Sequence, residues 1–160
     1  MIIRAATPDD AIGMSELLNE IIEIGGTTAF LNPVSPDTIR SWIAGDPKTC
    51  IWHVAIDEEG KIVGYQSADP YDSPAKDALS IATFVRIGVV KSGIGSLLFE
   101  ATIKRARDLG FSWINATIRT DNIGGRAYYR SRGFQTWKID KTATLSDGRV
   151  TGKVSKRFDL

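Results

Sequence analysis

A mixed α/β (α+β) fold is what this sequence predicts, on three observations. Short runs rich in β-branched and aromatic residues alternate with amphipathic, capped helical segments from end to end. In the middle, Leu79 to Ile118 reads strand, glycine turn, helix, strand, which makes the two strands parallel if the crossover is right-handed. No linker, internal repeat or low-complexity tract interrupts the 160 residues, so one domain spanning 1–160 is expected.

In order, Ile2-Ile3-Arg4-Ala5 is a short first strand. Thr7-Pro8-Asp9-Asp10 starts a helix, with Thr7 as N-cap, Pro8 at the first helical position and the acids complementing the dipole. Met14, Leu17, Leu18 and Ile21 carry its apolar face, and Gly25-Gly26 ends it. The irregular stretch Thr27–Pro33 presents Phe30 and Leu31. Ser35-Pro36-Asp37 begins a second helix, which ends at Gly45. Cys50–Ile56 and Lys61–Ala68 form a hairpin around Asp57–Gly60, and Asp69 to Asp77, with two prolines, reads as a loop.

Leu79–Val85 is a buried strand. Ser96–Leu109 is a helix closed by Gly110, with Leu97, Leu98, Ala101 and Ala106 on its apolar face. Between them, Lys91-Ser92-Gly93-Ile94-Gly95-Ser96 leads into the helix N-terminus. Free N–H groups and the positive dipole end converge there, so the turn suits a phosphate or pyrophosphate. Turn geometry alone would also account for two glycines. Leu98 stands where a dinucleotide fingerprint has its third glycine, and no P-loop is present. Phe111–Ile118 is the next strand, and a helix from Asp121 or Asn122 runs to Arg132-Gly133. Two last strands, around Thr136–Thr144 and Val150–Phe158, turn at Ser146-Asp147-Gly148.

Composition narrows the function. Hydrophobic residues at 42% and charged residues at 24% are ordinary for a globular protein. A net charge of +1 argues against a general nucleic-acid binder. Lys104, Arg105, Arg107, Arg119, Arg126, Arg130 and Arg132 read mostly as solvated helix faces. Cys50 is the single cysteine, so no intrachain disulfide forms, and a reducing, cytoplasmic location is expected. His53 is the single histidine, which argues against a zinc site or a Ser-His-Asp triad, so no metal is expected. No apolar run approaches membrane-spanning length and no signal pattern opens the chain.

The second motif decides the family. Asn122-Ile123-Gly124-Gly125-Arg126-Ala127-Tyr128-Tyr129-Arg130-Ser131-Arg132-Gly133-Phe134 matches Asn-x-x-(small)-x-x-x-Tyr-x-x-x-Gly-Phe. With the Gly93/Gly95 turn one crossover earlier, the chain resembles the GCN5-related N-acetyltransferase (GNAT) superfamily along nearly its whole length. Asn19-Glu20-Ile21-Ile22, Thr28-Ala29-Phe30, Pro33 and Trp42 look more narrowly like the phosphinothricin acetyltransferase branch.

That resemblance implies a twisted mixed sheet of about seven strands flanked by about four helices. A splayed parallel strand pair would form the CoA cleft. Acetyl-CoA would be the co-substrate, with its pantetheine amides pairing with the backbone of Phe84 and Val85 as an added strand. The N–H groups of Lys91, Ser92, Gly93, Ile94, Gly95 and Ser96 would hold the pyrophosphate, and Asn122 would touch the pantetheine arm. Tyr129 would be the general acid for the departing thiolate, the Val85 N–H would stabilise the oxyanion, and a neutral amine would attack directly.

Two positions depart from the family pattern: Val90, where relatives carry Arg or Gln, and Ser80, where phosphinothricin-type relatives carry Glu. Glu23, Asp69, Asp72, Asp77 or water remain as bases. Glu23, Phe30 and Tyr71 are candidates to shape the acceptor site. The expected acceptor is a small-molecule primary amine, an amino acid or analogue. Neither nucleic acid nor membrane is expected as a partner, and a homodimer is an option. A protein or peptide N-terminus is the alternative acceptor, and a non-catalytic acyl-CoA-binding protein the alternative class.

Overall fold

The structure is a computed structural model that describes residues 1–89 and 93–160. Val90, Lys91 and Ser92, and the expectations that fall on them, lie outside the described residues.

Seven strands form one sheet: β1 (Ile2–Ala5), β2 (Ile51–Ile56), β3 (Ile62–Tyr71), β4 (Ala78–Val85), β5 (Trp113–Arg119), β6 (Gln135–Asp140) and β7 (Lys153–Asp159), in the spatial order β1-β2-β3-β4-β5-β7-β6. Neighbours are antiparallel except β4 and β5, the parallel pair predicted from the crossover. Helices α1 (Ala11–Ile24) and α2 (Pro36–Ile43) cover one face, where Met14, Leu17, Leu18, Ile21 and Ile39 pack on Val54 and Tyr65. Helices α3 (Ile94–Asp108) and α4 (Ile123–Ser131) belong to the other face, whose core holds Leu79, Phe99, Ala106, Ile114, Tyr129 and Phe134. No described helix is long and apolar enough to cross a membrane.

Local physics shifts several boundaries. The first turn after Thr7 is a 3-10 turn, Pro8–Asp10, and α1 starts only at Ala11. Rather than a Thr7 side-chain cap, the Asp10 carboxylate accepts from the Thr7 N–H at 2.7 Å and from the Arg4 guanidinium at 2.8 and 2.9 Å. Ser35 caps α2 as expected, accepting from the Thr38 N–H at 3.2 Å.

Strand β3 runs past Ala68 to Tyr71, so the expected loop loses its first three residues to the sheet. Pro70 is tolerated there because β2 pairs with β3 only up to Ala68, leaving the proline with β4 alone as partner. The last hairpin is shorter than expected. Residues 141–152 leave the sheet apart from a single Thr144–Val150 bridge, and the Leu145–Arg149 turn closes with N–H to C=O bonds of 2.9 Å.

Candidate active site

The β4–β5 ladder pairs only Ala78 with Trp113 through Ile81 with Ala116. Beyond it both strands continue, to Val85 and Arg119, without facing one another. The gap opens into a cleft of about 870 Å³, within the usual ~300–1,000 Å³ range of small-molecule sites. Arg86 N–H bonds to the Val63 carbonyl at 2.8 Å, which fixes the alternation along β4. Arg86 and Phe84 therefore turn their peptide groups toward β3, while Val85 and Thr83 turn theirs into the gap. The Phe84 carbonyl accordingly lies against Gly64 of β3. Of the two residues expected to pair with the cofactor backbone, Val85 has the free peptide groups and Phe84 contributes its ring.

The N-terminus of α3 points into the same cleft, with Gly93, Ile94, Gly95 and Ser96 in the wall. Gly93 adopts φ 83° as the N-cap residue, which a side-chain-bearing residue rarely does. Gly95 is required for a different reason than anion access. A Cβ there would sit 2.8 Å from the Tyr128 ring, and the Tyr128 hydroxyl donates to the Gly95 carbonyl at 2.7 Å. Ile94 sends its side chain into the core and offers only its backbone.

Asn122 caps α4, accepting from the Gly125 N–H at 2.9 Å and donating to the Thr27 carbonyl at 3.2 Å. It thereby ties the loop after α1 to the cleft rim. Arg119 adds a second tie, donating to the Thr28 carbonyl at 2.9 Å while paired with Asp121 at 2.7 Å.

Tyr129 lies at the floor of the cleft, buried, with its hydroxyl 2.8 Å from the Thr83 Oγ1. Thr83 Oγ1 in turn accepts from Gln66 Nε2 at 2.8 Å. That donation leaves the Thr83 proton free to point at Tyr129, so the Tyr129 hydroxyl proton can be directed into the cleft. Burial raises the Tyr129 phenol above its ordinary range, so it is a neutral O–H donor at physiological pH. Arg132 Nη1 donates to Ser96 Oγ at 2.5 Å, and its Nε is buried without a hydrogen-bond partner among the described residues. Gln66, Thr83 and Arg132 were not anticipated. Polar residues at 66 and 83 inside apolar strands are the signal that could have marked the first two.

A second cavity, of about 430 Å³, opens on the α1/α2 side of β4 and shares Phe30, Ala82 and Phe84 with the cleft. Its wall is a ladder of rings: Phe30 on Trp42 at 5.8 Å, Trp42 on Trp52 at 6.3 Å, Trp52 on Tyr65 at 6.2 Å and Tyr65 on Phe84 at 4.9 Å. Asp69 and Cys50 meet at one side of it; desolvation raises both pKa values. Phe30 is thus at both cavities. The other two acceptor-site candidates line neither: Glu23 is exposed on α1, and Tyr71 packs edge-on against Trp113 at 5.6 Å. Of the other candidate bases, Asp72 and Asp77 also lie outside both cavities, and Asp69 is within one.

Residues 14–134 match the model of the acetyltransferase (GNAT) family. The chain belongs to that family. It is a GNAT-type acyltransferase, and the seven-stranded sheet with its single parallel pair is the GNAT fold. The chain is 25% identical over its full length to a Bacillus subtilis (strain 168) protein provisionally named phosphinothricin acetyltransferase YwnH, covering 95% of that protein. It is 29% identical over 143 residues to the L-methionine sulfoximine/L-methionine sulfone acetyltransferase of Pseudomonas aeruginosa PAO1, covering 83% of this chain and 79% of that one. Among solved structures, the GNAT superfamily phosphinothricin acetyltransferase of Sinorhizobium meliloti in complex with AcCoA superposes with a TM-score of 0.89 at 22% identity, over 99% of this chain and 88% of that one.

Proposed function

We propose that the protein transfers the acetyl group of acetyl-CoA to a primary amine of a small molecule, by direct attack within the β4–β5 cleft. The observation that carries this reading is the splay itself: unpaired peptide groups of Thr83 and Val85 face a hydroxyl held on a Gln66–Thr83–Tyr129 relay.

The residues fit the co-substrate. Val85 and Thr83 offer an open strand edge to an extended pantetheine. The α3 N-terminus from Gly93 to Ser96 supplies free N–H groups to the diphosphate, and the buried Arg132 Nε, without a partner among the described residues, lies beside it. Asn122 stands at the rim, already engaged with Gly125 and Thr27, so its contact with the pantetheine is a packing one. The Sinorhizobium meliloti relative, crystallised with AcCoA, supports the same assignment.

In the reaction, the amine lone pair forms the C–N bond and the thioester π pair moves to oxygen, where the Val85 N–H receives the charge. Collapse restores C=O and breaks C–S. A tyrosine is a weaker acid than a thiol, about 10 against about 8.5 in pKa, and burial widens the difference. Tyr129 therefore hands its proton to sulfur as it takes one from the acylated nitrogen, and ends the cycle neutral. Amide, CoA thiol and one released proton balance the ammonium and thioester that enter.

The test is thiol release from acetyl-CoA against a panel holding small amines and peptides with free N-termini. Turnover with small amines alone is expected. Turnover restricted to peptides would replace the acceptor class, and acetyl-CoA binding without thiol release from any amine would remove the relay from the reading.

A further inference from the structure

We infer that the aromatic cavity is the acceptor site, and that it takes a primary amine carried on an uncharged, apolar body, an arylalkylamine in chemical class, whose ammonium docks on Asp69. This rests on the acetyl-CoA reading of the neighbouring cleft and narrows it to one substrate class.

Position comes first. The cavity meets the cleft at Ala82 and Phe84, the β4 residues that follow the last β4–β5 pair, Ile81 with Ala116. A guest seated among the rings therefore reaches the start of the splay from the face opposite Tyr129. Asp69 sits directly across the β3–β4 ladder from Ser80, one residue before that last pair. A carboxylate is thus held at the foot of the gap, beside the wall a nucleophile must pass.

Charge comes second. Among the described residues no Lys, Arg or His lines this cavity, and Asp69 is the one carboxyl group in its wall. The Cys50 thiol beside it stays protonated, since burial raises its pKa, and so brings no second negative charge to the site. Phosphinothricin, the substrate in the names of two relatives, would bring a carboxylate and a phosphinate to a lining with no cation and one acid. A half-buried carboxylate repels both, whereas an ammonium over tryptophan and tyrosine faces is favoured twice, by the acid and by the ring quadrupoles.

Chemistry comes third. The bound ammonium must lose a proton before its nitrogen can attack. The Asp69 carboxylate takes that proton, the freed lone pair forms the C–N bond, and the carboxylic acid later returns the proton to solvent. Desolvation lifts Asp69 above the ordinary carboxylate range, in the direction that makes it a better base near neutrality.

Calorimetric titration of the full chain with 2-phenylethylamine, in the presence of CoA, tests the site without turnover. Binding is expected, weakened about tenfold by Trp42→Ala and by Phe30→Ala, the second variant being at the exposed rim where the fold is not at stake. Phosphinothricin is expected to give no comparable heat. In the thiol-release assay Asp69→Asn should lower kcat for 2-phenylethylamine about 10²-fold and abolish the acidic limb of its pH profile. Absence of 2-phenylethylamine binding in a chain that binds CoA overturns this inference and leaves the cleft reading intact, as does tighter binding of phosphinothricin. Failure of CoA itself to bind overturns the cleft reading.

Discussion

The two cavities on either side of β4 are built from opposite materials. The cleft is a backbone site: the open edge at Thr83 and Val85, the α3 N-terminus behind Gly93, and a few polar groups such as Arg132. The aromatic cavity is a side-chain site, walled by five rings from five different segments and, among the described residues, holding one carboxyl group. A backbone site binds what every homologous fold binds, because peptide groups do not change with sequence. A side-chain site can be rewritten residue by residue without disturbing the sheet. On the proposed reading, the shared co-substrate chemistry belongs to the cleft and the choice of acceptor to the rings.

The sharpest way to break that division is at the floor of the cleft. Tyr129→Phe should keep the fold and acetyl-CoA binding while lowering kcat about 10²-fold, near 2.7 kcal/mol in barrier. Thr83→Val, which removes the partner that orients the phenol, should cost about tenfold in kcat with KM little changed. Steady-state kinetics alongside a thermal-shift titration with acetyl-CoA separates the outcomes. A loss confined to KM in Tyr129→Phe would make the phenol a positioning group.

Next is the glycine turn. Gly95→Leu pushes a side chain into the Tyr128 ring, so about 1–3 kcal/mol of stability should be lost, a Tm drop of roughly 2–12 °C. The acetyl-CoA stabilisation should disappear with it. Gly93→Ala meets open space and only backbone strain, for a cost of about 1 kcal/mol. Equal destabilisation by the two would mean that the Tyr128 ring moves aside at little cost. Arg132→Ala should weaken CoA binding by a few fold, and the deficit should shrink with added salt if the guanidinium acts on phosphate charge.

The same contrast explains what could be read from the chain. The parallel pair, the Gly93–Gly95 turn and the run from Asn122 to Phe134 are local patterns, because backbone conformation and capping are decided within a few residues. They led to the fold and to most of the cleft. The aromatic cavity has no such signature. Phe30, Trp42, Trp52, Tyr65 and Phe84 are scattered from residue 30 to residue 84; strand register brings the last three together, and only tertiary packing of α2 and the loop before it adds Trp42 and Phe30. One clue was available: Tyr65, Ser67 and Asp69 share a face at period two, provided β3 is allowed to run through Pro70. Reading that proline as the end of the strand hid Asp69 in a loop. Gln66 and Thr83 were passed over because their hydrogen bonds to each other, from Gln66 to Tyr128 and between Thr83 and Tyr129 cross from strand to strand and on to α4.

The smallest effect expected is also the most specific to the side-chain site. Asp69 has its pKa raised in the folded protein, chiefly by desolvation. The folded state then binds more protons than the unfolded chain between the two pKa values, so stability falls as pH rises through that window. The penalty is absent below the unfolded value of about 3.9 and complete once pH exceeds the folded one. Asp69→Asn carries no charge to desolvate and is close to isosteric with the native side chain. Its Tm should therefore exceed that of the wild type at pH 7, and the two melting curves should converge near pH 4. A variant that is more stable yet slower with its amine would mark Asp69 as a group held at a stability cost for chemistry. Equal melting temperatures at pH 7 would mean that solvent reaches the carboxylate freely, and a base so solvated would have no raised pKa to use.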